Sequence, residues 1–575
     1  RHDNVVMVLD NHPEWLFSQL GAQAMGAVTL NLFTSAVAPE LASAMERVRA
    51  KIAVVQDQEQ VDKLLDQIST LPHLKAIVFV DPTGMRGYGD KRLLVSFREL
   101  LDIGAKRETK HPGLFAEEMA KGKPDETAHM ILTSGTTGLS KLAMLSHRNY
   151  TSMGRKWIES APVAVGGNWL SMTPPAWIVD QMWAFGVALE GGMTMNFPET
   201  PETVMQDFRE IGPDLLISSS RFWEDLASRI RVKIDDAGLV QKLCFSVAER
   251  IGLVCVERGR GRVPPAAYIA HVIARLLVFD HLLDRVGCSR LLAAYTGGHP
   301  ISPDVIRFFR ACGLNLKQCY GMTETCGIFQ VQPDDEVKPE TVGKSLPKTT
   351  VKISDDQEVM VLSESVFQGY YNDFDETKNA FEDGWFKTGD AGYFDDDGHL
   401  VIIGRKQDII RDKEGNAFSP DFIETRLKFS LYIKEAVVFG EGRPFITALI
   451  NIDQGNTGNW AEARMIPYTT YTDLTQRPEV ERLILDEVRK VNAQLPRPMQ
   501  VRRFILLYKL LDADDEELTR TGKVRRRFIY GLYLNLIEAM YQGLPEVQVK
   551  GKIRYRDGTV GVIETVSRII TVDRE

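Results

Sequence analysis

Short apolar runs alternate with amphipathic segments along the first 130 residues. Residues 4–9, 52–55 and 75–80 are apolar runs rich in valine that predict buried strands. The segment 59–68 is helix-like, and Pro13 and Glu14 are residue types favoured in the first turn of a helix. Alternation of strand and helix predicts a parallel sheet covered by helices, so the expected fold class is α/β.

Three further predicted strands run directly into polar turns. Residues 215–217, 291–295 and 314–319 are largely apolar, and the turns that follow them are rich in Ser, Gly and Thr. In parallel sheets ligands bind beyond the carboxyl ends of the strands, so these turns are expected to border a binding site. Between the first two strands lies a mostly helical insertion, 231–287, with a basic segment at 258–262. These arginines suit an anionic lipid surface, but a solvated face is the favoured interpretation.

The character of the chain changes near position 350, where short strands and tight turns begin. An acidic turn lies at 395–398, and an Asp-Gly pair at 557–558 predicts a hairpin near the end. We therefore expect a large N-terminal domain of parallel and mixed sheets over residues 1–404 and a smaller α+β domain over 405–575. Because the chain begins with Arg1 and enters a strand almost at once, its natural N-terminus is expected to be missing.

The composition is that of an ordinary soluble globular protein, with 44% hydrophobic and 26% charged residues among 575. A net charge of −9 argues against nucleic acid as a partner. The six cysteines show no zinc-type spacing and fit reduced thiols. We expect a cytoplasmic protein without a transmembrane segment or signal peptide, with peripheral contact at the inner face of the membrane as the one membrane association considered.

The segment 133–141 combines two glycines with hydroxyl side chains and a lysine. Gly135 and Gly138 allow successive backbone N–H groups to turn toward one point, and Lys141 adds a positive charge. Such a loop suits a triphosphate. It is not a Walker loop, because the glycines are too close together. Taken alone, the loop is better explained as a polar turn between a strand and the helix expected from residue 146.

Five further motifs follow the loop. They are Gly297-Gly298-His299-Pro300, Tyr320-Gly321-Met322-Thr323-Glu324, the segment 385–390, Gly404-Arg405 and Thr521-Gly522-Lys523. In order and spacing the six motifs resemble the adenylate-forming, or AMP-binding, superfamily of acyl-CoA synthetases, firefly luciferase and the adenylation domains of nonribosomal peptide synthetases. Within it the chain is most similar to bacterial long-chain fatty-acyl-CoA ligases, through the segments 170–199 and 519–527, the helical insertion and the C-terminal hairpin.

The resemblance implies two half-reactions and a small C-terminal domain that is mobile between them. In the first, a carboxylate attacks the α-phosphorus of ATP to give an acyl-adenylate and pyrophosphate. In the second, the thiol of coenzyme A displaces AMP. Long-chain fatty acid, ATP, Mg²⁺ and coenzyme A are therefore the substrates and cofactors that the resemblance implies.

The resemblance also assigns roles to residues by their place in the motifs. Lys523, Glu324 and Thr323 would be catalytic, and Glu324 with Thr133 would hold Mg²⁺. Trp177 would border the acyl group, although a core tryptophan is the structural alternative. Asp390 would accept the ribose hydroxyls. The full set expected to bind ATP is Thr133, Ser134, Gly135, Thr136, Thr137, Gly138, Lys141, Gly297, Gly298, His299, Tyr320, Gly321, Met322, Asp390 and Arg405.

Four departures from the family's usual pattern keep other functions open. Ser140 and Leu142 replace a proline and a glycine of the loop, Gln407 lacks the usual charge at the hinge, and Ser220 stands where a proline is expected. The fourth departure is the expected absence of the N-terminal strand region. Three hypotheses are retained: a long-chain fatty acid–CoA ligase, an enzyme that adenylates an aryl or amino acid, and a catalytically weak nucleotide- or acyl-binding protein.

Overall fold

Strands and helices alternate over the first 130 residues, as the apolar runs predicted. The computed structural model describes residues 1–88, 93–133, 140–161, 164–258, 263–334, 336–512, 517, 524–554 and 560–572. The chain divides into two units. Unit 1 contains Arg1–Ser354, Val359–Thr388 and Phe394–Val401, and unit 2 contains Asp355–Glu358, Gly389–Tyr393 and Ile402–Glu575.

The strands have the following bounds: β1 (Asn4–Val8), β2 (Val28–Asn31), β3 (Ile52–Val55), β4 (Ala76–Phe79), β5 (Leu94–Ser96), β6 (Thr127–Thr133), β7 (Lys141–Ser146), β8 (Asn168–Leu170), β9 (Thr194–Asn196), β10 (Leu215–Ser219), β11 (Ala293–Gly297), β12 (Leu316–Met322), β13 (Gly327–Val331), β14 (Lys344–Ser345), β15 (Thr350–Ile353), β16 (Glu358–Leu362), β17 (Gly369–Tyr370), β18 (Phe381–Glu382), β19 (Trp385–Phe394), β20 (Leu400–Arg405), β21 (Ile410–Arg411), β22 (Ala417–Phe418), β23 (Ile433–Phe439), β24 (Ile446–Ile452), β25 (Val501–Leu506), β26 (Glu546–Arg554) and β27 (Val560–Thr571).

The α-helices have the following bounds: α1 (Pro13–Ala24), α2 (Ala38–Arg47), α3 (Gln58–Asp66), α4 (Phe97–Lys110), α5 (Leu114–Ala120), α6 (His147–Ser160), α7 (Ile178–Met182), α8 (Leu189–Gly191), α9 (Val204–Ile211), α10 (Ser220–Asp235), α11 (Leu239–Arg258), α12 (Pro265–Ala274), α13 (Asp280–Arg285), α14 (Pro303–Ala311), α15 (Phe374–Asn379), α16 (Pro420–Lys428), α17 (Gln454–Glu462), α18 (Tyr471–Thr475), α19 (Pro478–Asn492), α20 (Arg526–Leu532) and α21 (Leu534–Gln542). Two π-helical segments, Trp183–Ala188 and Arg275–Phe279, continue α7 and α12.

The first sheet of unit 1 has eight strands in the order β17-β7-β6-β2-β1-β3-β4-β5. Strands β1 to β6 pair in parallel, whereas β7 and β17 are antiparallel to their neighbours, so the sheet is mixed. The expectation of a strand-to-helix turn after residue 133 is wrong. The chain forms β7 first, because residues 142–145 are a short apolar run, and Ser146 then caps α6 through the N–H of Asn149.

The second sheet of unit 1 has the order β14-β13-β12-β11-β10-β8-β9. Its strands are parallel from β9 to β12, and β13 and β14 are antiparallel. The predicted parallel pairing of these strands is confirmed, and the carboxyl ends of β11 and β12 carry two of the motifs expected to form the site. The π-helical segment Trp183–Ala188 is buried in the core of the same unit.

Unit 2 is built on a five-stranded sheet with the order β23-β24-β25-β27-β26. A core of valine, leucine and isoleucine side chains packs this sheet against α20 and α21. The hairpin predicted near positions 557–558 is confirmed by the antiparallel pairing of β26 with β27, although the turn itself lies outside the described residues.

The insertion between β10 and β11 is helical, as predicted, and consists of the end of α10, then α11, α12, a π-helical segment and α13. One helix in the part of the chain described here, Pro265–Arg285, is long and apolar enough to cross a membrane by length and composition. The sequence interpretation missed it, because Arg275 and Asp280 interrupt the apolar run.

All six cysteines are free thiols. Cys244 on α11 is exposed and Cys255 is half-buried, whereas Cys288, Cys312, Cys319 and Cys326 are buried. Burial raises the pKa of the Cys255 thiol and of the four buried thiols.

Candidate active site

The turn after β11 places two glycines against neighbours that leave no room for a side chain. A Cβ on Gly297 would lie 2.9 Å from the sulfur of Cys319 on β12. Gly298 has a φ of +86°, and a Cβ there would lie 3.0 Å from the indole of Trp177. Both positions therefore exclude a side chain, and Trp177 packs directly against Gly298. His299, the next residue, is exposed.

The loop that carries Trp177 is held by buried polar groups. Ser171 Oγ and Thr173 Oγ1 donate to the carboxylate of Asp180 at 2.7 and 2.8 Å. Gln181 donates to the carbonyl of Pro175 at 2.6 Å. Burial raises the pKa of Asp180 to about 7, although its hydrogen bonds favour the ionised form. Asp180 belongs to no motif, so this support could not be predicted from the sequence.

Glu324 lies in a single 3₁₀ turn between β12 and β13. The turn is fixed by Thr325, whose hydroxyl accepts from the N–H of Met322 at 3.1 Å and contacts the carbonyl of Gly327 at 2.6 Å. Cys326 closes the turn with a φ of +56°. Glu324 itself is 8% exposed, so it is a buried carboxylate although it lies in a turn.

Tyr370 links two of the predicted site residues. Its hydroxyl donates to Glu324 Oε1 at 2.8 Å, and the Nζ of Lys141 lies 5.0 Å from the centre of its ring. Burial, and then the charge of Glu324, raise the pKa of Tyr370, which keeps its hydroxyl protonated. Lys141 also forms an ion pair with Glu376 on α15. Tyr370 and Glu376 were not among the predicted site residues, because neither belongs to a motif.

The remaining predicted residues of unit 1 are in β12 and β6. Tyr320 packs edge to face on Phe329, with ring centres 5.1 Å apart, and Gly321 faces the backbone of Gly327. Met322 and Thr323 lead into the Glu324 turn. Thr133 is the last residue of β6 and pairs with Lys141. The predicted loop residues Ser134, Gly135, Thr136, Thr137 and Gly138 lie outside the described residues.

In unit 2 the predicted ribose ligand Asp390 is buried beside Arg405. The carboxylate of Asp390 and the guanidinium of Arg405 lie 3.3 Å apart. The adjacent N–H of Gly389 donates to Glu358, and Lys406 forms an ion pair with the same glutamate at 2.7 Å. The structure therefore brings Asp390 and Arg405 together, and it adds Glu358 and Lys406 as residues that hold the two strands in place.

Lys523 lies outside the described residues, but Glu517 and Arg525 on either side of it form hydrogen bonds and an ion pair. Glu517 is fully buried, accepts from the hydroxyl of Tyr533 at 2.7 Å and pairs with Lys509 at 2.9 Å. Its carbonyl accepts from the N–H of Arg525 at 2.9 Å, so the chain returns to the same point on either side of the Thr521-Gly522-Lys523 motif.

One predicted Mg²⁺ ligand of unit 1, Glu324, is a buried carboxylate. Among the described residues, no group of three or more His, Cys, Asp or Glu side chains could hold a metal. Mg²⁺ usually keeps several waters and binds one or two carboxylates together with substrate phosphates. Glu324, with the hydroxyl of Thr133 as the second predicted ligand, is suited to that role.

Two protein-family models match this chain. The family described as AMP-binding enzyme matches residues 1–371, and its C-terminal domain matches residues 407–545. The chain belongs to the AMP-binding enzyme family. This confirms the family that the six motifs indicated.

Relatives of this AMP-binding enzyme cover nearly its whole length. It is 27% identical over 546 residues to the long-chain-fatty-acid–CoA ligase FadD15 of Mycobacterium bovis, with 94% of this chain and 88% of that protein covered. It is 26% identical over 569 residues to the peroxisomal long chain acyl-CoA synthetase 7 of Arabidopsis thaliana, with 94% and 78% covered.

Solved structures show the same fold. The anthranilate CoA ligase AuaEII in complex with anthranoyl-AMP matches with a TM-score of 0.59 at 17% identity, over 94% of this chain and 88% of that one. ATP-bound MatB from Rhodopseudomonas palustris matches with a TM-score of 0.59 at 19% identity, over 93% and 89%. The predicted fold class, an α/β protein with a large N-terminal and a smaller C-terminal domain, is confirmed.

Proposed function

We propose that this chain activates long-chain fatty acids in two steps. The fatty acid carboxylate attacks the α-phosphorus of ATP, which breaks the bond to the β-phosphate and releases pyrophosphate with an acyl-adenylate. The sulfur of coenzyme A then attacks the acyl carbon, AMP leaves with the electron pair, and the thiol proton is lost to solvent. Acyl-CoA is the product.

One observation carries this proposal. Lys141 and Glu324 are 183 positions apart in the sequence, yet both contact Tyr370. The chain is an AMP-binding enzyme, and its relatives are named for long-chain fatty acids. A cation and a carboxylate suited to Mg²⁺ that both contact one phenol would suit a polyphosphate chain, because its negative charges need a cation and a metal ion.

The site residues would have different roles in the first step. Lys141 would neutralise phosphate oxygens, and Mg²⁺, when bound with ATP at Glu324, would add further positive charge. Tyr370 donates to one oxygen of Glu324 and so orients the carboxylate. Gly298 and Trp177, which lie against each other, would contact the flat base. Asp390 and Arg405 of unit 2 would be the polar groups that contact the ribose.

The direct test is ATP–pyrophosphate exchange without coenzyme A. An adenylating enzyme returns labelled pyrophosphate to ATP when palmitate is present, whereas a binding protein does not. Palmitate should support exchange far better than acetate, because each buried CH₂ contributes about 0.8 kcal/mol. Efficient exchange with benzoate but not palmitate would instead assign an aryl acid, and absence of exchange with every acid would contradict adenylation.

Lys523→Ala separates the two half-reactions. We expect adenylate formation to slow roughly a hundredfold or more, since loss of one preorganised donor typically costs about 2.7–4 kcal/mol. Thioester formation from supplied acyl-adenylate should be nearly unchanged. Arg482→Ala, an exposed cation in unit 2, serves as the control. If both half-reactions fall equally, Lys523 has a structural role, and unimpaired adenylation would mean that another lysine acts.

The ion pair of Lys141 with Glu376 favours a second candidate, a catalytically weak nucleotide-binding protein. A lysine held by a carboxylate must leave it before it can contact phosphate, and Ser140 and Leu142 beside it depart from the family's usual loop. Such a protein would bind ATP in equilibrium dialysis and yet show no exchange with any acid.

Glu376→Gln measures how much this ion pair weakens ATP binding. We expect the KM for ATP to fall by up to about fivefold, because partly exposed ion pairs contribute about 0–1 kcal/mol. The matched control is Asp375→Asn, next to it on α15. An increase in KM would contradict this account and would place Glu376 among the groups that support ATP binding.

A further inference from the structure

The helix Pro265–Arg285 exposes a continuous apolar stripe. Six apolar residues at spacings of one and four positions, each between 40% and 72% exposed, form this stripe: Tyr268, Ile269, Val272, Ile273, Leu276 and Leu277. At about 100° per residue these positions share one face of a helix. Water-soluble proteins seldom leave so large a contiguous apolar surface unpartnered, so the stripe indicates an interaction site.

The neighbouring helix α11 extends this surface. Its exposed apolar residues Val240, Leu243, Val247 and Val254 recur at intervals of three, four and seven. The two helices contact each other, and the Sγ of Cys255 lies 3.7 Å from the carbonyl of Ala267. We call the ten exposed side chains of the two helices the insertion face.

The opposite side of both helices is fixed to unit 1. Phe245 and Ala248 of α11 and Phe279 and Leu283 of the second helix belong to a buried core cluster. A Cβ on Gly252 would lie 2.4 Å from the carbonyl of Ala311, so α11 is in close contact with α14. A helix that is held along one side by its own domain lies on a bilayer and does not cross it.

Two arginines stand within the insertion face. Arg250 lies between Val247 and Val254 on α11, and Arg258 lies one turn beyond Val254. Both arginines are exposed, and neither forms an ion pair among the residues that the structure describes. Glu257 is exposed on the last turn and offsets one of these charges. Exposed arginines among apolar side chains match an interface of acyl chains and anionic headgroups, because their stems lie in the apolar layer and their charged ends reach the headgroups.

We propose that the insertion face docks this protein on the surface of a bilayer that contains anionic phospholipids. A second copy of the chain fits this face less well. In a two-fold contact, Arg250 and Arg258 of both copies would be brought under one interface, and like charges without partners are costly to bury. The proposal goes beyond the fatty acid activity and does not depend on it, because docking needs no nucleotide or acyl substrate.

Vesicle flotation of the full chain tests this docking. Vesicles of neutral phosphatidylcholine, with or without about one quarter phosphatidylglycerol, are used without ATP, fatty acid or coenzyme A. Ile269→Ser/Ile273→Ser/Leu277→Ser should lower the partition coefficient at least tenfold. The matched control Leu431→Ser/Met465→Ser changes exposed apolar residues of unit 2 and should leave it unchanged.

The arginines have a test of their own, which does not alter the apolar stripe. Arg250→Gln/Arg258→Gln should weaken binding about fivefold per arginine on anionic vesicles, and added salt should remove the difference. On neutral vesicles this variant should match the wild type. Arg98→Gln/Arg482→Gln is the control for loss of exposed charge elsewhere.

Three results would overturn the proposal. One is wild-type protein that fails to float with anionic vesicles, and another is binding that both sets of variants leave unchanged. The third is sedimentation equilibrium in which the wild type self-associates and the triple serine variant is monomeric, while neither floats. That result would assign the face to a second copy of the chain.

Discussion

Two apolar helical segments of unit 1 differ in their exposure to solvent. Both contain a π-helical stretch, a feature often found at functional sites. All six residues of Trp183–Ala188 are buried, whereas Leu276 and Leu277 of Arg275–Phe279 are 61% and 72% exposed. Composition alone does not separate them, since each reads as a run of apolar residues.

The difference lies in how many neighbours surround each helix. Trp183 stacks on Trp169 of β8 at 5.9 Å and meets Trp157 of α6 and Tyr295 of β11 at 5.4 and 6.3 Å. Aromatic rings therefore approach it from a helix and from two strands. The outer segment contacts its domain on one side only. Apolar surface left open at a fixed helix is a binding surface, while enclosed apolar surface stabilises the fold.

The largest contrast is expected between Trp183→Ala and Leu277→Ala. Removing the enclosed indole should lower the free energy of unfolding by about 3–5 kcal/mol, because it leaves a cavity. Removing the exposed leucine should change it by less than about 0.5 kcal/mol. Urea unfolding followed by tryptophan fluorescence and by circular dichroism measures both. Similar losses in the two variants would mean that the outer helix is covered in solution.

A smaller effect should follow from the close approach of α6 to the enclosed segment. A Cβ on Gly154 would lie 2.4 Å from the carbonyl oxygen of Gly186, so Gly154→Ala should cost about 1–3 kcal/mol. Gly104→Ala in α4 is the control, since a Cβ there would meet nothing within 4 Å apart from the backbone of its own helix. That change should be neutral or stabilise the protein by up to about 1 kcal/mol. Equal unfolding midpoints for both variants would show that α6 can move aside.

A third effect, which appears as a pH dependence of stability, concerns Asp180 just before the enclosed segment. Its pKa is about 7 in the folded protein against an ordinary value of 3.8, so between these values the folded state binds the extra proton. Stability from this group is complete below pH 3.8 and is lost as pH rises through 7, at up to about 1.4 kcal/mol per pH unit. Asp180→Asn should remove that slope, whereas exposed Asp396→Asn should keep it. Parallel stability curves for wild type and Asp180→Asn would refute the assignment.

Elements that depend on local sequence were predicted well. The strand expected at 52–55 is β3, and the strands expected at 215–217, 291–295 and 314–319 overlap β10, β11 and β12. Apolar runs of four or more residues bounded by Gly, Ser or Thr determine such strands largely by themselves. The turn glycines at 297 and 298 were also found from sequence, because glycine is needed there for backbone reasons.

Contacts between distant segments could not be predicted in this way. Lys141 with Glu376 and Tyr370 with Glu324 join residues 235 and 46 positions apart, and no local pattern encodes which carboxylate meets which partner. Trp177, expected to border the acyl group, is half-buried, and Trp183 and Phe185 in the same apolar segment are core residues. Hydrophobicity indicated burial there but not what the side chains are buried against.

The distribution of the six thiols gives this protein a natural attachment point. Cys244 is exposed on α11, one turn after Val240 and next to Leu243, whereas the other five are shielded and kept protonated by burial. Because the thiolate is the reacting form, a maleimide dye should couple to Cys244 far faster than to the rest. A polarity-sensitive fluorophore at that position would change its emission colour whenever the surrounding helix surface leaves water, in a protein that needs no engineered cysteine.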